Sequence, residues 1–357
     1  MKSLFIVDTP YQLFNVVNIV VHEKYDIKPD LIIVNQFRNA DILLNKVGET
    51  KLFNKIFFVS KNAFSSTVDK IRYWTLRFIR PKYIIKRQFS EEDYSPFIKT
   101  KYSDIFCSVM TDLAVAVKQI NKKASIYLFD DGIGSYYGNI IHNREWKYYL
   151  LSFITHSGEH IFKPECLLLN NVSAASDTVP FIIRPLPQID EKSINILNSL
   201  FDYDDTFYEQ KIVLLSTPDD TDQSLDSFFQ TITRFLLPYS EKVVVRLHPR
   251  EEKRTAYVQF RIDEPKTLWE LMICNSNIDE KILIGLGTTA LFAPKIIFDK
   301  EPTLVFLNNL CNLKMMNDNQ MIDQICKLKE SYLNKEKVFI PNSLDEFENI
   351  IKTLLDN

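Results

Sequence analysis

The feature that most constrains this chain is an alternation, run through twice, of short apolar β-branched stretches with longer segments of helical periodicity. In the first half the strand-like runs are Ser3–Asp8, Leu31–Asn35, Lys55–Ser60, Asp104–Ser108 and Ser125–Asp130. Between them Gln12–Val21, Ile42–Val47, Ala63–Ile79 and Thr111–Ile120 repeat apolar residues at helical spacing. Both faces of the strands are apolar and must be covered, a condition met by a parallel sheet with helices on both sides. The grammar restarts with strands at Lys211–Ser216, Lys242–Leu247, Lys281–Ile284 and Thr303–Phe306. Helices are expected there at Gln223–Leu236, Thr267–Ile273, Thr289–Ile297 and Gln320–Lys329, with a closing amphipathic helix over Leu344–Leu355.

A chain of 357 residues exceeds a comfortable single core and fits two domains. Between the two series, Arg184–Ile189 reads RPLPQI, and proline forces extended backbone on itself and its predecessor. The expected division is therefore an α/β domain over 1–185 and a second over 186–357, with a crevice between them. Open parallel sheets bind ligands beyond the carboxyl ends of their strands, so chemistry is sought there.

Composition narrows the partners. A formal charge of −3, from 43 basic and 46 acidic residues, gives no global reason to expect nucleic acid. Cys107, Cys166, Cys274, Cys311 and Cys326 are scattered, with no CxxC pair, which argues against a disulfide framework or a thiolate metal site. A reducing cytoplasm is the expected compartment. The opening apolar run breaks at Pro10 without a signal-peptide pattern, and no uninterrupted apolar window of about 18 residues occurs.

Four strand-end segments carry residues suited to chemistry. Asp130-Asp131-Gly132 sets adjacent carboxylates in different directions, so that one can cap the turn while the other serves as a general base; Asp-Gly is equally a common turn dipeptide. Arg246-Leu247-His248-Pro249-Arg250 places a titratable imidazole among basic neighbours that could hold a phosphate, though a lone His is more often structural. Gly285-Leu286-Gly287-Thr288-Thr289 offers glycines and hydroxyls at a helix start, where anions bind and where Thr is also an ordinary N-cap. Leu215-Ser216-Thr217-Pro218-Asp219 reads the same two ways.

In order and spacing these motifs resemble the bacterial sialyltransferases, in particular the lipooligosaccharide group of glycosyltransferase family 52. The matching stretches are Phe129-Asp130-Asp131-Gly132, Leu247-His248-Pro249-Arg250 and Gly287-Thr288-Thr289-Ala290-Leu291. The opening Thr9-Pro10-Tyr11-Gln12-Leu13 is similar to the start of capsule and polysialic acid transferases. The resemblance implies a GT-B fold, two Rossmann-like α/β domains facing a central cleft, and inverting transfer of sialic acid from CMP-sialic acid to a glycan hydroxyl in capsule or lipooligosaccharide synthesis. It implies Asp131 as the general base and His248 as the group that binds the departing CMP phosphate. Pro249 belongs to the same motif, Gly287, Thr288 and Thr289 would hold phosphate oxygens, and Ser216 and Thr217 would line the nucleotide. Glu270, or Glu264 nearby, would accept from the ribose. No cofactor is expected beyond the donor, and no metal, since His248 and the Thr loop can neutralise the phosphate and the chain has no His/Cys cluster; Asp219-Asp220-Thr221-Asp222 reads as a solvated turn rather than a cation site. Two other readings compete: a GT-B enzyme using another CMP-ulosonic acid or a UDP-hexose, and a catalytically silent sugar- or nucleotide-binding protein.

Between Lys70 and Arg87 the chain reads KIRYWTLRFIRPKYIIKR, seven basic residues interleaved with aromatics and no acid. Such a segment suits the inner face of an anionic membrane, and equally a helix with a solvated basic face. A second aromatic run, Trp146–Ile154, reads as core or acceptor groove. The partners expected are a nucleotide-sugar donor and a glycan acceptor without nucleic acid, and the chain is compatible with a homodimer.

Overall fold

The computed structural model describes residues 2–37, 39–61, 64–76, 79–137, 163–204, 207–217, 223–249, 251, 255–263, 267–311 and 319–356. The chain packs as two units, Met1–Phe201 and Asp202–Asn357. Among the described residues no helix is long and apolar enough to cross a membrane.

The first unit is built on seven strands: β1 (Ser3–Val7), β2 (Asp30–Asn35), β3 (Lys55–Ser60), β4 (Asp104–Cys107), β5 (Ser125–Phe129), β6 (Cys166–Leu169) and β7 (Ile183–Pro185). They lie in the order β3-β2-β1-β4-β5-β6-β7, and every pairing is parallel. Leu4, Phe5, Ile6 and Val7 are all buried, as central parallel strands require. On one face Phe5, Phe106 and Tyr127 stack across three neighbouring strands at 4.5 and 4.8 Å between ring centroids. The chain moves one way from β1 to β2 and β3, then returns to β1's other side for β4, so the order reverses between β1 and β4. Ligands of such sheets gather beyond the strand ends at that reversal.

Among the described residues, six helices precede the last strands of this sheet: α1 (Pro10–His22), α2 (Ala40–Thr50), α3 (Thr67–Leu76), α4 (Pro81–Gln88), α5 (Glu91–Lys99) and α6 (Asp112–Ile120). The single helix expected over Ala63–Ile79 is shorter and is followed by a second. Ser66 Oγ accepts from the Asp69 amide at 3.1 Å to start α3, and Pro81, which has no N–H to continue a helix, opens α4 at its first position.

The Pro-containing segment also corrects the domain boundary. Ile183–Pro185 pairs with β6 at the edge of the sheet, where a proline costs no ladder hydrogen bond. The helix that follows, α7 (Glu191–Leu200), is capped by Asp190 Oδ1 accepting from the Ser193 amide at 2.8 Å and buries Leu197 and Leu200. Asn18 of α1 donates to the Pro187 carbonyl at 2.7 Å, and His22 Nε2 lies 3.3 Å from Asp190. The first unit therefore runs through Phe201, and 186–201 belong to it rather than to the second.

The second unit has β8 (Ile212–Leu215), β9 (Val243–Arg246), β10 (Arg261–Asp263), β11 (Ile282–Gly285), β12 (Thr303–Phe306) and β13 (Val338–Phe339), again all parallel, in the order β10-β9-β8-β11-β12-β13. Its reversal lies between β8 and β11. Helices α8 (Gln223–Leu236), α9 (Trp269–Asn275), α10 (Thr289–Phe298), α11 (Asn319–Ser331) and α12 (Leu344–Asp356) complete it. Phe229 of α8, Tyr257 and Phe347 of α12 close one core cluster with Ile212, Val243 and Ile282. Proline 294 inside α10 cannot donate to the carbonyl of Ala290, and the Trp269 indole N–H takes that acceptor instead at 2.9 Å.

Because Leu197 is fully buried on the first unit, Leu197→Ala lowers unfolding stability by about 2–4 kcal/mol, read by urea denaturation. A boundary before α7 with a loosely attached helix predicts a loss within roughly 0.5 kcal/mol.

Candidate active site

In the first unit the strand-end loops after β1 and β5 and the start of α1 form one polar cluster. Asp130 and Asp131 leave β5 with opposite fates. Asp130 is fully buried: its Oδ1 accepts from the Gly132 amide at 2.8 Å, and its Oδ2 from the Tyr136 hydroxyl at 2.5 Å and the Asn170 side-chain amide at 3.0 Å. Gly132 takes φ 102°, a conformation other residues adopt only with strain, so the third residue of the motif is required by the turn. Burial pushes the Asp130 carboxyl up, while these donors oppose the shift. Asp130 is thus the turn-holding residue.

Asp131 has an open face, yet protein packs closely enough around it that its carboxyl is raised to about 6, burial being the largest cause and the charge of Asp130 a further one. Its backbone N–H donates to Ser135 Oγ at 2.9 Å. Gln12, in the first turn of α1, donates from Nε2 to Asp131 Oδ1 at 2.7 Å, while its Oε1 accepts from the Asp8 amide at 2.6 Å. The backbone donor on one side fixes which end of the Gln12 amide faces the carboxylate. Asp8, buried at the end of β1, is itself raised to about 6, by burial first and by the charge of Asp131 second. Asn15 Nδ2 donates to the Asp130 carbonyl at 3.0 Å, so α1 grips the motif at both residues.

An aspartate that is solvent-facing on one side, oriented by a buried amide and poised near neutrality is equipped to take a proton from a hydroxyl. Sequence reasoning singled out Asp131 but gave no part to Gln12, Asn15, Asp8 and Asn170, which the structure gathers around the motif. The available signal was polar residues at 12, 15 and 18, three apart on an otherwise apolar helix.

In the second unit His248, half-buried, follows β9. Its backbone N–H donates to Ser216 Oγ at 2.8 Å, and that hydroxyl in turn donates to Glu251. Ser216 therefore fixes the His248 turn, and Thr217 is buried beside it in sequence. Arg246 is not the phosphate partner its position suggested: its guanidinium contacts Asp263 at 2.7 Å, the Thr267 carbonyl at 2.6 Å and the Trp269 ring at 5.2 Å. It ties β9 to β10 and α9. Pro249 is exposed, and Glu270 is buried in the first turn of α9. Arg250, Glu264, Asp219–Asp222 and Trp146–Ile154 lie outside the described residues.

The loop after β11 begins at the sheet's reversal. Gly287 donates its N–H to Asn308 Oδ1 at 2.8 Å, and a Cβ there would lie 2.7 Å from the Met321 sulfur. Thr288 has N-cap backbone geometry but makes no capping bond, and among the described residues its buried hydroxyl has no hydrogen-bond partner. An orphaned hydroxyl at the start of α10 fits a phosphate, and Thr289 opens that helix. Asn308, which nothing in the local pattern marks, positions this loop.

The pair Asp8 and Asp131 binds more protons folded than unfolded, so it stabilises the fold below pH ~4 and this contribution is lost as pH rises through about 6. Carbon-13 NMR of the labelled carboxyls reads the site directly. Gln12→Leu removes a donor to the charged form and raises the Asp131 midpoint, whereas Asp8→Asn removes a neighbouring charge and lowers it, each by roughly half a unit or more.

The sequence profile of the family described as Alpha-2,8-polysialyltransferase (POLYST) matches residues 3–306. No protein of curated function matches the chain by sequence. Among solved structures, Spinosyn Forosaminyltransferase SpnP is similar with a TM-score of 0.55 at 10% identity, over 100% of this chain and 91% of that one. LpCGTa, solved in complex with UDP, gives 0.56 at 10% identity over 100% and 90%. A putative UDP-N-acetylglucosamine 2-epimerase from Listeria monocytogenes gives 0.52 at 10% identity over 100% and 88%. At such identities the likeness fixes the fold, which is GT-B, and a fold shared by transferases and an epimerase leaves activity to the family. With most of its length, including the Asp131, His248 and Gly287–Thr289 motifs, inside the family match, the chain belongs to the alpha-2,8-polysialyltransferase family and is a glycosyltransferase of the bacterial sialyltransferase kind.

Proposed function

We propose that the protein transfers sialic acid from CMP-sialic acid to a glycan hydroxyl with inversion, in capsule or lipooligosaccharide synthesis at the cytoplasmic side of the membrane. The family's name points to the 8-hydroxyl of a terminal sialic acid as the acceptor. The observation that carries the reading is Asp131: an open-faced carboxylate held by Gln12 and raised to about 6, ionised at neutral pH and still basic enough to accept a proton. The resemblance of the motif order to glycosyltransferase family 52 supports the same donor.

In this reading the acceptor hydroxyl gives its proton to Asp131 as its oxygen attacks the anomeric carbon. The bond from that carbon to the phosphate oxygen breaks, and CMP departs with the electron pair. Negative charge grows on the phosphate during this step. Donors fixed in advance, namely His248, the Thr288 hydroxyl and the N–H groups at the start of α10, stabilise that charge more in the transition state than in the ground state. One displacement at the anomeric carbon inverts its configuration and needs no covalent enzyme intermediate. These donors take the role that a metal ion plays in other nucleotide-sugar transferases.

Incubation of the purified chain with CMP-sialic acid, other CMP-ulosonic acids or UDP-hexoses, and an oligosialic acid acceptor tests the reading by CMP release and product mass. CMP-sialic acid alone is expected to turn over, and Asp131→Asn is expected to lower kcat by about 10²–10⁴ with donor KM changed little. Turnover only of a UDP-sugar, or an Asp131→Asn variant as fast as the parent, contradicts it.

A further inference from the structure

The helix α3 is built inside out. At about 100° per residue, Tyr73, Asp69 and Leu76 share one side of it, and Val68, Ile71 and Trp74 share the other. The inward side is polar in its bonding: the buried Tyr73 hydroxyl donates to Asp112 Oδ2 at 2.8 Å, and Asp69 receives both ends of the Arg87 guanidinium at 2.7 and 3.0 Å. The outward side is apolar, with Val68 74%, Ile71 61% and Trp74 43% exposed. An ordinary surface helix does the reverse, and contiguous exposed apolar residues of this kind mark a place of contact.

Charge says what the contact is with. Lys70 and Arg72 border the apolar stripe on its two sides, and Arg80, Lys82 and Lys86 follow on the next turn and on α4, all exposed. Asp69, an acid on this helix, is neutralised inward by Arg87, so the outward surface keeps its positive sign. Exposed Ile79 extends the apolar strip beyond the end of α3. Apolar and tryptophan side chains at the centre of a cationic rim match the two layers of an anionic bilayer surface, where acyl chains lie beneath phosphate headgroups.

We infer that the outward face of α3, together with the basic side of α4, docks the protein on an anionic lipid bilayer. The surface lies wholly within the first unit and does not depend on which donor or acceptor the enzyme uses. Ile71 and Trp74 insert at the headgroup boundary, while Lys70, Arg72, Arg80, Lys82 and Lys86 face phosphates. Each near-surface cation multiplies the partition coefficient by roughly five.

Sedimentation of the full chain with vesicles tests this, comparing phosphatidylcholine alone with vesicles containing one-third phosphatidylglycerol. Binding is expected on the anionic vesicles, weakened by added salt, with a blue shift of tryptophan emission. Ile71→Glu and the pair Lys70→Glu with Arg72→Glu are each expected to lose more than about tenfold in partitioning. Since these positions are exposed, thermal melts should match the parent. Trp74→Phe should keep sedimentation and lose the emission shift. Equal binding to both vesicle types, absence of binding to the anionic vesicles, undiminished binding by Ile71→Glu, or an emission shift that survives Trp74→Phe overturns the inference.

Discussion

A sheet whose strands all run in parallel releases the chain from every strand at the same edge, and both units of this protein are built under that constraint. The loops that follow β1 and β5 in one unit, and β8, β9 and β11 in the other, are thereby gathered at single edges without any further design. Distant residues become neighbours for the same reason. Gln12 and Asp131 are 119 residues apart in sequence and share a hydrogen bond because β1 and β5 lie one strand from each other in the same orientation.

Division of labour inside short motifs follows from where each side chain finds itself after the strand ends. Asp130 turns into the protein and spends its carboxylate on donors from Gly132, Tyr136 and Asn170, while Asp131 is left open and oriented by the Gln12 amide. Ser216 performs a similar service for His248, and Asn308 for Gly287. In each case a residue of the candidate site is set in place by the hydrogen bonds of a neighbour. Burial, which raises Asp8 and Asp131 to about 6, is the stability penalty that accompanies a base of useful strength.

Much of this was legible in the sequence where the signal was local. The strands at Lys55–Ser60 and Thr303–Phe306 stand as expected, because continuous apolar runs with polar ends leave few alternatives. The Asp-Asp-Gly motif could be placed, and the different directions of its two carboxylates foreseen. What escaped was set by tertiary context. The strands β10 and β13, three and two residues long, carry no periodicity to read. Pro185 looked like a linker because the rule that bars proline from strands does not apply at a sheet edge. Arg246 looked like a phosphate ligand beside His248, and only the positions of Asp263 and Trp269 on other elements reveal that it is bound inward. Gln12 could be seen as an odd polar residue but not as the partner of a carboxylate 119 positions away.

The account turns on Asp131 acting as the base in sialyl transfer. Its most direct test is the pH dependence of kcat/KM for transfer from CMP-sialic acid, because a base must be ionised to work and its rate limb reports its pKa in the free enzyme. The account predicts a rate that rises with pH through a single ionisation near 6 and levels above it. A rate that stays flat down to the ordinary carboxylate range, about 4, would contradict the assignment of Asp131.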